Sequence, residues 1–345
     1  PAGTTAITVP EGYRLRQHIS MMRAPVADAW LYGRLSALNA LSGLIATGAQ
    51  PGNARALVTL SETTPELARW DMQQLLDGAE RELRQHDCPL IDAQTCEGRE
   101  LQLALSINGY ESVAAKNPVS RARAGDCLIL TKPLGNGALF AAERQGQAQA
   151  RWLQQALEFM LQSNATAAGI FTRNRASAIA SVAGSGLLGH LLPLLRTPTT
   201  PTRESDQENS GYQAPLGASL FADALPILPG TTHCIDRGWF APGQRDNFRY
   251  ISALQNAAAW DSDPNLPLLA DPQICGGLLA AVPADLVDNC LAALHAAGCR
   301  QAAVIGFVDE LPASQDTIND ELQPVHLARS GDWRTMAARY LEMIS

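Results

Sequence analysis

The apolar positions of this chain follow two kinds of pattern, one typical of helices and the other typical of strands. Between residues 32 and 48, leucine and isoleucine recur on one helical face, which predicts an amphipathic helix. Thr64 followed by Pro65 is typical of a helix start, so a second helix is predicted over 64–85. Short apolar runs predict strands over 5–9, 54–60, 101–107, 127–131, 176–183, 277–282 and 302–308. Helical spacing predicts further helices over 148–162, 165–172, 186–195, 284–297 and 333–344.

Strands and helices interleave, which favours an α/β (α+β) fold with mixed sheets flanked by helices. The length of 345 residues suits two domains. We predict an N-terminal domain over 1–114 and a C-terminal domain over 115–345. A polar stretch rich in Pro, Thr and Ser interrupts the second domain, and it predicts an insertion over 197–213.

Composition narrows the classes of partner. Hydrophobic residues make up 46% of the chain and charged residues 17%, so large cores can be buried. The net charge of −8 offers no basic surface for nucleic acid or an anionic membrane. The sequence lacks an apolar run of the roughly 18 residues typical of a membrane span. Seven scattered cysteines without a CxxC motif predict reduced thiols, and we expect a cytoplasmic protein.

Gly184–Gly189 (GSGLLG) matches the dinucleotide fingerprint G-x-G-x-x-G and follows a predicted strand. The acidic residue expected about 20 positions later is missing, because the polar stretch 197–213 lies there. The motif therefore leaves two interpretations open. One is a dinucleotide-binding oxidoreductase, and the other is a tight strand-to-helix turn whose glycines are needed for packing.

Two further loops carry candidate chemistry. Lys132–Gly137 (KPLGNG) precedes a predicted helix, whose N-terminus suits an anion, so Lys132, Gly135 and Gly137 are candidate phosphate-binding residues. Asp271, in DPQICGG, is a candidate ligand or base, although Asp before Pro more often caps a turn. The six histidines form no H-x-x-x-H pair, so we predict no metal site from them.

Taken in order, these motifs resemble the selenophosphate synthetase (selenide, water dikinase) family. KPLGNG, GLLGHL and DPQICGGLL are similar to the family's KPLGTG, TDVTGFGLLGHL and DPQTSGGLL, and GRLSALNALSGLIATG, from Gly33, is similar to GRIAAANALSDVYAMG. The resemblance covers nearly the whole chain. It implies the two-domain fold shared with aminoimidazole ribonucleotide synthetase and a homodimer formed through the N-terminal domains. We expect Met21, Met22 and Trp30 at that interface, and the alternative is that they pack inside the N-terminal domain.

The resemblance also implies which positions should carry chemistry. The family makes selenophosphate from selenide and ATP, with Mg²⁺ held by aspartates. Ser20, Gly43 and Ser181 stand where three of those aspartates are expected. The family's GGH segment matches Asp92 to Gln94, whereas Asn39 is retained. The family-matched positions are thus Ser20, Asn39, Gly43, Asp92, Gln94 and Ser181.

These departures predict a catalytically degenerate member with weak or no nucleotide binding, for which neither ATP nor Mg²⁺ is an expected cofactor. The family's glycine-rich segment with a reactive Cys and a Lys has no match, and the chain begins at Pro1 without a methionine. We interpret the chain as a piece of a longer one, since relatives occur fused to an oxidoreductase. The alternative is an active ATP-dependent phosphotransferase whose metal ligands are Asp28, Asp92 or Asp271.

Overall fold

The computed structural model describes residues 6–114, 121–196, 215–311 and 323–330. The chain divides into two compact units by its contacts. The first comprises 1–118 and 157–165, and the second comprises 119–156 and 166–345. The predicted domain ranges, 1–114 and 115–345, stay a prediction.

The first unit contains a four-stranded sheet with helices against one face. Its elements are β1 (Tyr13–Arg23), α1 (Ala29–Ile45), β2 (Gln50–Ser61), α2 (Pro65–Arg84), β3 (Leu90–Gly98) and β4 (Gln102–Ser112). The strand order is β1-β4-β2-β3, with β2 and β3 parallel and the other neighbours antiparallel. Helix α1 packs against β1 and β4. The opposite face of the sheet, which we call the open face, exposes large apolar side chains such as Ile19 and Met21.

Local sequence explains where the two helices begin. The Asp28 carboxylate accepts a hydrogen bond from the amide of Leu31 at 2.7 Å and so caps α1. Thr64 caps α2 through the amide of Leu67, and Pro65 stands in the first turn. The Asp28 side chain is therefore engaged in holding a helix N-terminus.

The two helices approach each other at glycines. A Cβ atom on Gly33 of α1 would lie 1.9 Å from the Leu75 carbonyl oxygen of α2. A Cβ on Gly78 of α2 would lie 2.0 Å from the Trp30 carbonyl oxygen. Backbone packs against backbone there, so no larger residue fits without moving a helix.

The second unit contains a six-stranded sheet in the order β10-β7-β9-β5-β8-β6. Neighbouring strands are antiparallel except β10 and β7. The strands are β5 (Asp126–Leu130), β6 (Ala178–Ser181), β7 (Leu216–Phe221), β8 (Leu278–Pro283), β9 (Ala303–Glu310) and β10 (Val325–Ala328). The helices that lie wholly in this unit are α3 (Asn136–Glu143), α6 (Gly186–Leu195), α7 (Thr231–Asp236), α8 (Gln244–Asn247) and α9 (Val287–Ala296). Helices α4 (Ala150–Met160) and α5 (Ala165–Arg173) have most of their residues in it. Strands β5 and β8 are almost wholly buried.

The structure confirms the mixed α/β prediction and most predicted elements, including the helices over 32–48 and 64–85. The strand predicted over 5–9 is wrong, because residues 6–9 form no strand and β1 begins at Tyr13. Strands β1, β3, β7 and β10 were not predicted. The predictions for 197–213 and 333–344 lie outside the described residues.

The predictions made from the cysteines and from the lack of a long apolar run can be compared with the structure. All seven cysteines are free, which agrees with the prediction of reduced thiols, and Cys96 alone is exposed. No helix in the described part of the chain is both long and apolar enough to cross a membrane.

Candidate functional site

The family-matched positions in the first unit begin with Ser20, Asn39 and Gly43, between β1 and α1. The Asn39 side-chain amide donates a hydrogen bond to the Ser20 hydroxyl oxygen at 3.0 Å. Ser20 lies on β1 and faces the helix, and Gly43 lies near the end of α1. A neutral hydroxyl and amide therefore hold each other where the resemblance leads one to expect a carboxylate.

His18 occupies the space beside Gly43. A Cβ atom on Gly43 would lie 2.4 Å from His18 Nε2 and 2.5 Å from its Cε1. Burial lowers the pKa of His18 below its usual 6.5, so the ring is mostly neutral at pH 7. The imidazole and any side chain at position 43 exclude each other. This contact could not be predicted from the sequence, because His18 and Gly43 lie on different elements.

A double-mutant cycle tests the packing of His18 on Gly43. We expect Gly43→Ala to destabilise the wild type by roughly 1–3 kcal/mol, because the methyl group must displace the ring. In a His18→Ala background the same change should be neutral or stabilising, since alanine is the better helix former. Urea unfolding of the four proteins measures both effects. An equal cost in both backgrounds would show that His18 does not occupy this space.

Asp92 and Gln94 lie on the opposite side of the same sheet. The ladder aligns Asp92 with Arg55, Arg55 with Ser106 and Ser106 with Ile19, all on the open face. Arg55 Nη2 lies 3.2 Å from Asp92 Oδ2. Asp92, Arg55 and Gln94 line a recess of about 290 Å³ on this face. The structure thus separates these two residues from Ser20, which faces α1, and from Gly43, which lies on α1.

In the second unit, the two candidate loops are joined side by side. Asn136 forms a two-way pair with Ile274: its amide donates to the Ile274 carbonyl at 2.8 Å, and its oxygen accepts from the Ile274 amide at 3.0 Å. The Gly135 amide donates to Gln273 Oε1 at 3.2 Å. Lys132 Nζ donates to the Cys275 carbonyl at 3.1 Å. We call this set of contacts the loop clasp.

Packing accounts for the residue types in KPLGNG. Lys132 is 3% exposed, and burial lowers its pKa to about 8. Gly135 has φ +112°, which favours glycine, and a Cβ there would lie 2.1 Å from Thr231 Oγ1. A Cβ on Gly137 would lie 2.2 Å from the Pro272 carbonyl oxygen. Phosphate binding by Lys132, Gly135 and Gly137 stays a prediction.

Asp271 stands two residues before Gln273, at the start of the second loop of the loop clasp. It has no exposed surface, and burial raises its pKa from 3.8 to about 7. Its Oδ2 accepts a hydrogen bond from Gln273 Nε2 at 2.7 Å, while its buried Oδ1 has no partner of normal hydrogen-bond geometry. The amides of Gly137 and Ala138 lower its pKa to a smaller extent than burial raises it. Asp271 therefore carries its proton over part of the neutral pH range.

The glycine-rich turn 184–189 packs against the segment that leads into Asp271. Gly186 has φ +70°, and a Cβ there would lie 2.8 Å from the Ala270 carbonyl carbon. The Asn247 amide donates to the carbonyls of Gly184 at 2.8 Å and Ala270 at 3.0 Å. Ser181 ends β6 opposite Leu278. These contacts explain Gly186 by packing, whereas a Cβ on Gly184 would meet no atom within 4 Å, and dinucleotide binding stays untested.

The residues at the matched positions do not fit the magnesium site that the resemblance implies. Mg²⁺ in proteins is held by carboxylates together with water and substrate phosphates. Ser20, Gly43 and Ser181 supply no carboxylate, and the space at Gly43 holds the ring of His18. Within the described ranges, no three His, Cys, Asp or Glu side chains form a group that could hold a metal ion.

Sequence reasoning missed three residues that hold the loop clasp and the glycine-rich turn 184–189 in place. Gln273, Asn136 and Asn247 make the side-chain contacts that join separate loops. Gln273 stands inside DPQICGGLL and Asn136 inside KPLGNG, so membership of these motifs was the signal that could have identified them. Asn247 ends the segment PGQRDN, and only the folded chain shows its two carbonyl partners.

Comparison with known proteins decides the family. The family model "AIR synthase related protein, N-terminal domain" matches residues 3–110. The chain is 30% identical over 300 residues to a selenide, water dikinase of Geobacter metallireducens, covering 87% of this chain and 82% of the relative. The chain belongs to the selenide, water dikinase family. A family member from Pelobacter propionicus is 29% identical over 304 residues, covering 88% and 82% of the two chains.

Solved structures confirm the fold that the resemblance implied. Thiamine-monophosphate kinase from Stenotrophomonas maltophilia is similar with a TM-score of 0.61 and 20% identity, covering 92% of this chain and 86% of that one. Escherichia coli HypE, a hydrogenase maturation protein, is similar with a TM-score of 0.59 and 17% identity, covering 92% and 83%. At these identities the likeness concerns the fold alone. Both the family and the AIR synthase-like fold were thus predicted correctly.

Proposed function

We propose that this chain is a catalytically degenerate member of its family that makes no selenophosphate and binds nucleotide weakly or not at all. The observation that carries the proposal is the packing of the His18 ring into the space beside Gly43, next to the Ser20–Asn39 hydrogen bond. Neutral side chains fill these positions and contact one another. A repair of the metal site would therefore need displacement of His18 as well as new carboxylates.

Electrostatics supports the same conclusion. Phosphoryl transfer depends on cations that neutralise charge on the phosphates as the bond breaks. The chain has a net charge of −8, so general attraction cannot replace a bound metal ion. Lys132 is buried and donates to a backbone carbonyl. Its ammonium group supports the loop clasp in this arrangement.

The second candidate function is an active selenide, water dikinase, and the names of the relatives favour it. Its ligands would come from Asp28, Asp92 or Asp271. Each of these carboxylates already has a protein partner: the Leu31 amide, the Arg55 guanidinium and the Gln273 amide, respectively. These contacts make the active alternative the weaker of the two.

Magnesium-dependent nucleotide binding tests the proposal. Calorimetry with a non-hydrolysable ATP analogue should give weak binding, and its affinity should change less than about threefold when Mg²⁺ is added, because the residues that would bridge metal to phosphate are absent. The Geobacter metallireducens relative is the matched control under the same conditions. A gain of roughly 100-fold or more with Mg²⁺ would favour the active alternative.

We further propose that two copies pair through the open face of the first unit. Ile19 and Met21 on β1 are 66% and 63% exposed, and Leu57 on β2 lies in the same surface. An isologous dimer would cover this surface with an identical one.

Two residues of the expected interface, Met22 and Trp30, have contacts within the first unit. Met22 alternates with Met21 along β1 and faces α1, opposite the buried Leu103. The Trp30 ring lies under the guanidinium groups of Arg34 and Arg81, at 4.9 and 5.6 Å from its centroid. Both residues pack inside the first unit, so Met21 is the member of the predicted set that suits the interface.

A partner oxidoreductase and a cytoplasmic location stay predictions. The resemblance suggests the first through fused relatives, and composition suggests the second. Dinucleotide binding by Gly184–Gly189 is the less favoured interpretation, because Ala270 and Asn247 already account for that turn.

A further inference from the structure

We infer that the chain supplies its own anion to the N-terminus of α3, where the side chain of Asp271 occupies the position that a small oxyanion such as phosphate would take. The loop KPLGNG, which leads into α3, is thereby closed to phosphate in the wild type. The inference goes beyond the proposed function, since it concerns the second unit and does not depend on the carboxylates missing from the first.

Helix α3 begins without a capping side chain of its own. Its N-cap is Gly135, which has φ +112° and no side chain that could accept a hydrogen bond. The first amides of a helix have no intrahelical partners, and they attract negative charge. A capping side chain normally accepts from the amides of the second and third helical residues, which here are Gly137 and Ala138. An acceptor for these two amides has to come from another part of the chain.

The carboxyl group of Asp271 lies at these amides. A Cβ atom on Gly137 would stand 2.5 Å from Asp271 Oδ1 and 3.0 Å from its Cγ, so the carboxyl group borders the first turn of α3. Burial raises the pKa of Asp271 to about 7, and the amides of Ala138 and Gly137 offset part of that rise. Gln273 accepts from the amide of Gly135 at 3.2 Å. Two residues of one loop thus cover the start of α3.

One oxygen of this carboxyl group points to a better ligand. Asp271 has no exposed surface, and its Oδ1 has no hydrogen-bond partner of normal geometry, whereas Oδ2 accepts from Gln273 Nε2 at 2.7 Å. A buried polar atom in this state is costly and calls for an explanation. A planar carboxyl group tied to Gln273 cannot also turn an oxygen squarely toward both amides. A tetrahedral oxyanion has four oxygens and is free of that constraint, so the amides suit it better than they suit Asp271.

The surroundings limit the ligand to a small anion. A Cβ on Gly135 would lie 2.1 Å from Thr231 Oγ1, and one on Gly137 would lie 2.2 Å from the Pro272 carbonyl oxygen. A buried hydroxyl and a backbone carbonyl therefore flank the start of α3 and leave no room for a nucleoside. Pro272 and Ile274, in the same loop as Asp271, are partly exposed, so the position lies just beneath the surface. The class of ligand is a free oxyanion of the size of phosphate.

Removal of the carboxyl group tests the inference, with inorganic phosphate as the probe. In Asp271→Ala, the vacated space and the two amides should bind phosphate about tenfold or more tightly than the wild type does. Asp271→Asn fills the same space without a negative charge, so it should show no gain. Equilibrium dialysis with radiolabelled phosphate, at constant ionic strength and without Mg²⁺, measures the constants. Since neither selenide nor Mg²⁺ is present, this test and the assay for selenophosphate can fail independently.

A second buried carboxyl group of the same unit provides the matched control. Asp126, at the start of β5, accepts from the Ser177 hydroxyl and from the amide of Arg123, away from any helix N-terminus. Asp126→Ala should therefore bind phosphate no more tightly than the wild type. Equal affinity of Asp271→Ala and Asp271→Asn would overturn the inference, and so would a wild type that binds as tightly as Asp271→Ala. If Asp271→Ala does not fold, Asp271→Ser leaves similar room, and the same comparison with Asp271→Asn decides.

Discussion

Gly33→Ala should open the packing between α1 and α2 and destabilise the first unit by about 3 kcal/mol or more. The added methyl group would lie 1.9 Å from the Leu75 carbonyl oxygen and 2.9 Å from the Ala79 amide nitrogen. Both are backbone atoms of a helix, so a change of rotamer cannot relieve the clash. Helix α1 must move away from α2 and break the matching contact at Gly78. Since a domain has only about 5–15 kcal/mol of stability, this is a large fraction of it.

Hydrogen exchange measured by mass spectrometry checks this expectation locally. Amides of α1 and α2 should lose roughly 100-fold or more of their protection in the variant. Gly169→Ala in α5 is the matched control, because the nearest atom to its added methyl group is Arg173 Nη1 at 3.4 Å. That control should be neutral or more stable, as alanine is the better helix former. Unchanged protection in Gly33→Ala would show that the two helices are not in backbone contact.

The second large effect is a pH-dependent loss of stability caused by Asp271. In the unfolded chain this carboxyl group releases its proton near pH 3.8, whereas in the folded chain it keeps the proton until about pH 7. Between these values the folded state binds more protons, so stability falls as the pH rises. The contribution of Asp271 is fully present below pH 3.8 and is lost as the pH passes 7.

Asp271→Asn removes the titratable carboxyl group and retains the shape of the side chain. Relative to this variant, the wild type should lose up to about 3 kcal/mol of unfolding free energy between pH 5 and pH 8. Urea unfolding at several pH values measures the difference. Asp236→Asn changes an exposed carboxylate of the same unit and should leave the wild-type slope intact. Parallel curves for the wild type and Asp271→Asn would mean that Asp271 is ionised in the folded protein across this range.

How much of the fold could be predicted depended on how regular each element is. Helices α1 and α2 have apolar faces, and Thr64 and Pro65 mark the start of α2, so both were predicted. Strand β1 was missed because its helix-facing positions include Arg16, His18 and Ser20, which break the usual apolar alternation. Strand β3 is mostly exposed and has no regular apolar alternation, and its ladder partner is β2.

The candidate site, like the fold, could be predicted only in part from the sequence. The motifs identified the family, and they located Lys132 and Asp271 in loops that the structure brings together. The sequence could not show that Lys132 is buried, that Asp271 has a pKa of about 7, or that His18 lies on Gly43. Each of these depends on atoms supplied by a distant part of the chain. Loss of carboxylates was visible in the sequence, and what fills their space was not.

An assay with selenide, ATP and Mg²⁺, with phosphorus NMR to detect selenophosphate and AMP, tests whether this chain is catalytically degenerate. The Geobacter metallireducens relative serves as the positive control. We predict that this chain forms neither product above the enzyme-free background, because Ser20, Gly43 and Ser181 supply no carboxylate for the metal. Selenide-dependent formation of AMP that is abolished by Asp92→Asn or Asp271→Asn would contradict it.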